Sequence, residues 1–116
     1  MLYPIIRSLT TSDGARLDVL DHMTTTSVGI CALLGPSTGP GEEIFSFFAC
    51  TPAYILDQLN IFGSVAGRLL IVPTLTAATV RSAIQAICSQ IEGETWNDIG
   101  QRFAEYALWE FENYTE

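Results

Sequence analysis

Apolar and polar residues fall into blocks along the chain, and the length and period of each block divide it into elements. Leu2 to Leu9 reads as a first strand, with Pro4 near its start, where a missing N–H suits a sheet edge better than a centre. Thr11 to Ser27 lacks a sustained period. Asp13-Gly14 and the run Thr24-Thr25-Thr26 mark an irregular connection, with one short helical turn around Leu17 to Leu20. Val28 to Leu34 is a continuous apolar run, the pattern of a buried strand. Glu43 to Cys50 is a second such run, rich in Phe. Between them, five of the seven residues from Gly35 to Gly41 are Gly or Pro, which makes a loop. Two strands joined by so short a connection pair as an antiparallel hairpin, because a parallel crossover needs more chain.

From Thr51 the period changes. Thr51-Pro52 predicts a helix start: a Thr hydroxyl can accept from a free backbone N–H, and Pro suits the next position, where no N–H is needed. Ile55, Leu59 and Phe62 follow at helical spacing, and Gly63 can end the helix. Arg68 to Val72 is a short apolar strand stopped by Pro73. The clearest helix is predicted from Thr76 to Glu92, with Val80, Ala83, Ile84, Ile87, Cys88 and Ile91 on one face and Gly93 as its stop. Thr95-Trp96-Asn97-Asp98 resembles a capping box, opening a last helix to about Asn113. Early strands and late helices together predict a single α+β domain over residues 1–116. It is an antiparallel sheet of about four strands with about three helices packed mainly on one face.

Composition narrows the function classes. Hydrophobic residues make up 48% of the 116-residue chain and charged residues 16%, which suits one folded domain with an ordinary core. The net charge is −8, and all five basic residues are Arg. Phosphate contacts need clustered Lys or Arg, so nucleic acid is a poor partner, and an anionic membrane surface is no better. A basic protein partner fits the charge; the plain alternative is that acidity serves solubility. Cys31, Cys50 and Cys88 each lie among apolar residues, which suits buried free thiols in a reducing compartment. No secretory leader pattern or membrane-length apolar run is read, so the expected location is the cytoplasm.

Catalytic parts are scarce. His22 is the one histidine and falls in the unpatterned connection. A thiol in an apolar run is a poor nucleophile, because burial disfavours the thiolate. The Gly/Pro loop lacks the Gly-Lys-Ser/Thr of a phosphate-binding loop. The pairs Glu42-Glu43 and Glu92/Glu94 read as solvated surface charge. The expectation is a chain without enzymatic activity, without cofactor and without metal.

Several spaced segments then form one pattern. Gly41-Glu42-Glu43 leads through Phe45 and Phe47 to Cys50-Thr51-Pro52. Gly67-Arg68 opens an apolar strand, followed by Gly93-Glu94-Thr95-Trp96 and by Trp109-Glu110-Phe111-Glu112-Asn113-Tyr114. In this order the chain resembles the immunity-8 family of bacterial polymorphic toxin systems over roughly residues 27–116. The resemblance implies a protein that binds and neutralises a cognate toxin domain without catalysis. Thr51, Pro52, Arg68, Thr95, Trp96, Trp109 and Glu110 are then structural positions. A small acidic metabolite-binding or accessory regulatory domain is the other reading, and the oligomeric state stays open.

Two site expectations follow from the wheel of the last helix. Trp96, Ile99, Phe103, Tyr106 and Tyr114 share an apolar side with Glu110 in its middle, so the helix stops before Glu110, or the carboxylate is semi-buried and paired, with Arg68 a candidate partner. Asp98, Glu105, Glu112 and Glu116 lie opposite as an acidic stripe. Seven of the thirteen acidic residues follow Ile91, opposed only by Arg102, so this stretch carries −6 of the net −8. The stripe is either a solvated face or, with Glu42 at the rim of the Gly35–Gly41 loop, the surface that meets a basic toxin.

Overall fold

The computed structural model describes residues 1–111. Among them, strands β1 (Pro4–Thr11), β2 (Ser27–Pro36), β3 (Glu43–Cys50), β4 (Leu70–Ile71) and β5 (Leu108–Trp109) form one sheet. Helices α1 (Pro52–Phe62), α2 (Ala77–Cys88) and α3 (Trp96–Phe103) join it, with a 3₁₀ helix at Leu17–His22 in the first connection. The α+β architecture is the one the residue pattern predicts.

Strand order is β1-β2-β3, then β4 and β5 side by side along the outer edge of β3. The long strands pair antiparallel, with Leu9 opposite Ala32 and Ala32 opposite Phe45. Pro4 opens the edge strand, where its missing N–H breaks no ladder. β4 is the exception to an antiparallel sheet: it runs parallel to β3, Ala49 opposite Leu70, because α1 carries the chain back between them. Every second residue of the long strands faces the core: Leu9, Thr11, Ile30, Ala32, Leu34, Phe45, Phe47 and Ala49. Val80, Ile84 and Cys88 of α2 pack on this face, beside β1 and the 3₁₀ helix, whose Leu17 and Leu20 are also buried.

Some boundaries and roles differ from the sequence expectation. α2 ends at Cys88 rather than running to Glu92, and Ile87 sits at the rim of the core while Cys88 lies inside it. Gly93 is not its stop; its backbone bridges to Leu2, N–H to carbonyl in both directions at 2.7 and 3.1 Å. Thr51 occupies the N-cap position of α1 but does not cap with its side chain. Its N–H is bound to Thr26 O at 3.0 Å and its hydroxyl is buried without a partner among the described residues, so Pro52 and the Thr51 carbonyl set the helix entry. Gly63 ends α1 as expected, at φ 76° in the left-handed region. α3 stops at Phe103 instead of continuing to Asn113, and Trp109 arrives from a strand, not a helix. Asn113 and Tyr114 lie outside the described residues.

An aromatic cluster closes the end of the core around Phe45. Its ring stacks on Trp109 at 6.0 Å and meets Phe103 at 5.2 Å and the edge of Trp96 at 6.3 Å. Trp109 also lies across Gly100 of α3, where a Cβ would fall 2.6 Å from the indole ring. Glu43, two residues before Phe45 on the same side of β3, holds the cluster together. Its Oε1 accepts from Trp96 Nε1 at 2.5 Å and from Trp109 Nε1 at 2.9 Å.

Two outcomes test this packing. Ile84→Ala, which opens a cavity in a fully buried site, is expected to cost about 2–5 kcal/mol by urea denaturation, and Ile87→Ala at the rim clearly less. Glu43→Leu leaves two indole donors without their acceptor and is expected to cost about 2–4 kcal/mol with a shift in Trp emission; Glu43→Gln, which keeps an acceptor oxygen, is expected to lose less.

Candidate partner-binding surface

Four parts of the chain meet at the Glu43 end of the sheet. Ser37 N–H donates to Tyr3 O at 2.7 Å, tying the β2–β3 loop to the segment before β1. The bridge between Leu2 and Gly93 brings the α2–α3 connection beside that segment. The two indole bonds fix α3 and β5 on Glu43, and Glu110 N–H donates to Ile44 O at 3.2 Å. Arg7 fastens the loop from the side: its Nη2 donates to Pro36 O at 2.9 Å and to Gly39 O at 3.0 Å. Gly35 makes that possible, since a Cβ there would lie 2.7 Å from Arg7 Nε and 2.2 Å from Gly41 O.

The charge at this end is acidic and exposed. Glu92, Glu94 and Asp98 line a cleft of about 680 Å³ with Met1, Tyr3 and Arg102. Glu42 stands on the loop next to the bridging Glu43. A second, smaller cleft of about 240 Å³ has Glu43, Trp96, Asn97, Trp109 and Phe111 as its walls. Backbone bonds and aromatic packing hold these carboxylates on a fixed base.

The expected site residues are placed as follows. Asp98 and Glu42 do come to the same end of the molecule. Asp98 also completes the capping box of α3: its Oδ2 accepts from Thr95 N–H at 3.2 Å, while Thr95 Oγ1 accepts from Asp98 N–H at 3.2 Å. The continuous acidic stripe is corrected. α3 ends at Phe103, so Glu105 lies in the turn at the far end of that helix from Asp98. Glu112 and Glu116 lie outside the described residues. Glu110 is exposed, and its Oε1 accepts from Ile44 N–H at 2.8 Å; it caps the edge of β3 and does not take Arg68 as the partner expected for it. Arg68 Nη1 instead donates to Ala107 O at 3.2 Å, because the turn after α3 presents that carbonyl. Thr95 caps α3, Trp96 and Trp109 donate to Glu43, and Pro52 sits in the first turn of α1.

Reading the residues one by one missed Glu43, Glu92, Glu94 and Arg7. The signal for Glu43 was present: it falls in step with Phe45, Phe47 and Ala49, so the strand period places it on the core-facing side. Adjacency to Glu42 hid it. Nothing local marks Glu92 and Glu94, whose position depends on the bridge to Leu2.

Burial pushes the Cys88 thiol up to about 11 and raises that of Cys50, so neither is a ready thiolate. His22 is exposed on the 3₁₀ helix, on a different segment from both. Thr11's hydroxyl, then the Ala15 amide, hold the exposed Asp13 carboxyl below its usual value, which is turn chemistry within the first connection. Among the described residues, no group of three or more His, Cys, Asp or Glu is placed to hold a metal ion, and no helix is long and apolar enough to cross a membrane.

Searches of curated proteins and of solved structures returned no match to the chain. A family model described as immunity protein 8 matches residues 6–114, extending the resemblance read from residue 27 onward back through β1. With that match spanning nearly all of the 116 residues, the chain belongs to the immunity protein 8 family.

Proposed function

We propose that this immunity protein neutralises its cognate toxin domain in the cytoplasm by direct, non-catalytic binding, and that the acidic Glu43 end of the sheet is the surface that meets the toxin. The observation that carries the proposal is the gathering of Glu92, Glu94 and Asp98 around one cleft, with Glu42 exposed on the loop next to Glu43, on a base locked by the two indole bonds to Glu43. An inhibitor gains affinity when its contact groups are held in place before binding, since little conformational entropy is then lost. Its charge must also complement the target. A toxin that acts on nucleic acid carries Lys and Arg around its phosphate site, and an exposed carboxylate cluster presents the matching sign. A basic nuclease is therefore the toxin class that fits this surface. Protection from a lethal enzyme calls for a dissociation constant on the order of nanomolar, about −12 kcal/mol.

The test is kinetic. Charge complementarity raises the association rate and is screened by salt. Glu42→Gln/Glu92→Gln/Glu94→Gln is expected to slow association with the cognate toxin roughly tenfold at low ionic strength and to flatten its salt dependence. Glu105→Gln, at the other end of α3, serves as the control and should leave both unchanged. Equal association rates and salt slopes for the triple variant and the parent would place the toxin elsewhere.

A further inference from the structure

The smaller cleft at the Glu43 end differs in chemistry from the acidic one. Of its walls, Trp96, Trp109 and Phe111 are aromatic, Asn97 is neutral, and Glu43 carries the charge. Trp109 and Phe111 meet edge to face, with ring centroids 6.0 Å apart and planes at 78°. Phe111 is 38% exposed, so part of this aromatic wall is open to solvent. The half-buried carboxylate is held without being neutralised. Both donors to its Oε1 are uncharged indole N–H groups. Among the described residues its Oε2 has no donor, and no cationic side chain forms an ion pair with it. A carboxylate partly withdrawn from water attracts a cation more strongly than one in open solvent, because less screening lies between them. Ring faces attract cations too, through the quadrupole of the π-system. Carboxylate and rings therefore select one ligand chemistry, a cationic head on an apolar stem, which is what Lys and Arg side chains present. One carboxylate supplies too few oxygens for a hard metal ion. The volume, about 240 Å³, lies below the roughly 300–1,000 Å³ of small-molecule pockets and suits one side chain better than a metabolite.

We propose that this cleft is an anchor pocket for one Lys or Arg side chain of the toxin, its cationic head on Glu43 and its methylene stem against the aromatic walls. The pocket presupposes the toxin contact proposed above and gives it a point of attachment. Position supports that occupant. Asn97 and Asp98 are consecutive on α3, the first lining this cleft and the second the acidic one, and Glu42 immediately precedes Glu43. A basic surface drawn to the exposed acids thus arrives with its cationic side chains beside the aromatic cleft. The two clefts then govern different steps. Glu42, Glu92 and Glu94 act at a distance on the approaching partner and set the association rate. A side chain seated among rings loses its water, and such buried anchors set the dissociation rate.

Trp96 and Trp109 are the chain's two tryptophans and both line the cleft, so intrinsic fluorescence reports its occupancy. The probes are acetyl-Gly-Arg-Gly-amide, the Lys analogue, and the citrulline analogue, which keeps the shape of Arg without its charge. Each is titrated into the full chain at moderate salt. The Arg and Lys peptides should shift the emission saturably, with a dissociation constant on the order of millimolar, and the citrulline peptide should not. Glu43→Gln keeps an acceptor oxygen for the indoles, removes the charge, and should weaken peptide binding about tenfold. Phe111→Leu keeps apolar bulk, loses the ring, and should weaken it about threefold. Asn97→Asp adds a carboxylate to the cleft wall in the first turn of α3, where an acid is favoured. It should tighten peptide binding about threefold at an undiminished melting temperature. Should Glu43→Gln fail to fold, the opposite signs expected for Phe111→Leu and Asn97→Asp decide the matter. With the cognate toxin, Glu43→Gln should dissociate roughly thirtyfold faster while associating within about twofold of the parent, the reverse of the effect expected for the Glu42/Glu92/Glu94 variant. An unchanged emission with the Arg and Lys peptides, or an equal response to citrulline, overturns the pocket and leaves the acidic surface to be judged by its association rates. Peptide binding combined with parental toxin dissociation in both Glu43→Gln and Phe111→Leu overturns the anchor as well. If Glu43→Gln dissociates faster while the Glu42/Glu92/Glu94 variant associates like the parent, the anchor stands and the steering role of the exposed acids is refuted.

Discussion

One oxygen of Glu43 accepts from two indole N–H groups, and that shared carboxylate fixes how α3 and β5 join the sheet. Trp96 is the first residue of α3, Trp109 ends β5, and Glu43 begins β3, so three distant segments converge on one atom. Each indole needs an acceptor once its ring is buried, and bonds to a charged acceptor are worth about 1.5–3 kcal/mol each. Both bonds fix orientation as well as position. With the two N–H groups aimed at Glu43, Trp96 meets Phe45 edge-on and Trp109 stacks on it, and α3 must come close enough for Trp109 to cross Gly100. A side chain at position 100 would displace the ring and with it one of the two bonds. The end of the molecule that carries the acidic cleft is thus held by the same cluster that closes the core.

The long strands were legible in the sequence because their signal is local. A continuous apolar run, a Gly/Pro loop and a second run leave the chain little choice but a hairpin, and the observed strands fall within a few residues of those runs. The start and stop of α1 were legible for the same reason, through Pro52 and Gly63. What covers α1 was not. Helical spacing of Ile55, Leu59 and Phe62 reads as a buried face, yet periodicity reports only that a face is apolar, not that the rest of the chain supplies a surface for it. The end of α3 was illegible for a related reason. Trp96, Phe103 and Tyr106 keep a helical spacing on paper, but the turn after Phe103 reverses the chain so that Trp109 reaches Phe45 from a strand. Tertiary packing overrode a weak local period there.

The acidic surface was half legible. Counting charges located the excess after Ile91, and Glu42 and Asp98 do share one end of the fold. The helical stripe expected to run from Asp98 through Glu105 does not continue there, because α3 ends at Phe103. What assembles the surface is a set of contacts between residues far apart in sequence: Leu2 with Gly93, Tyr3 with Ser37, Glu43 with both tryptophans. No window of sequence contains both partners of any of these. The strand period could still have found Glu43, since a charged residue in step with Phe45 and Phe47 must either find donors or break the core edge.

The acids at this end divide into two sets with different freedom to change. Glu43 serves the indoles, Asp98 caps α3, and Glu110 accepts from the edge of β3. Replacing any of these disturbs the scaffold, so each is constrained by folding whatever the partner is. Glu42, Glu92 and Glu94 stand exposed on the loop and around the cleft, where a change of side chain alters potential and contact shape at little cost to stability. A binding protein that must match one toxin and not its relatives gains from this division. Specificity is a difference between affinities and requires contact residues that can vary while the base beneath them does not. The bridging carboxylate and the two tryptophans supply that base, and under the toxin contact proposed above the exposed carboxylates are the positions at which recognition can be altered without unfolding the protein.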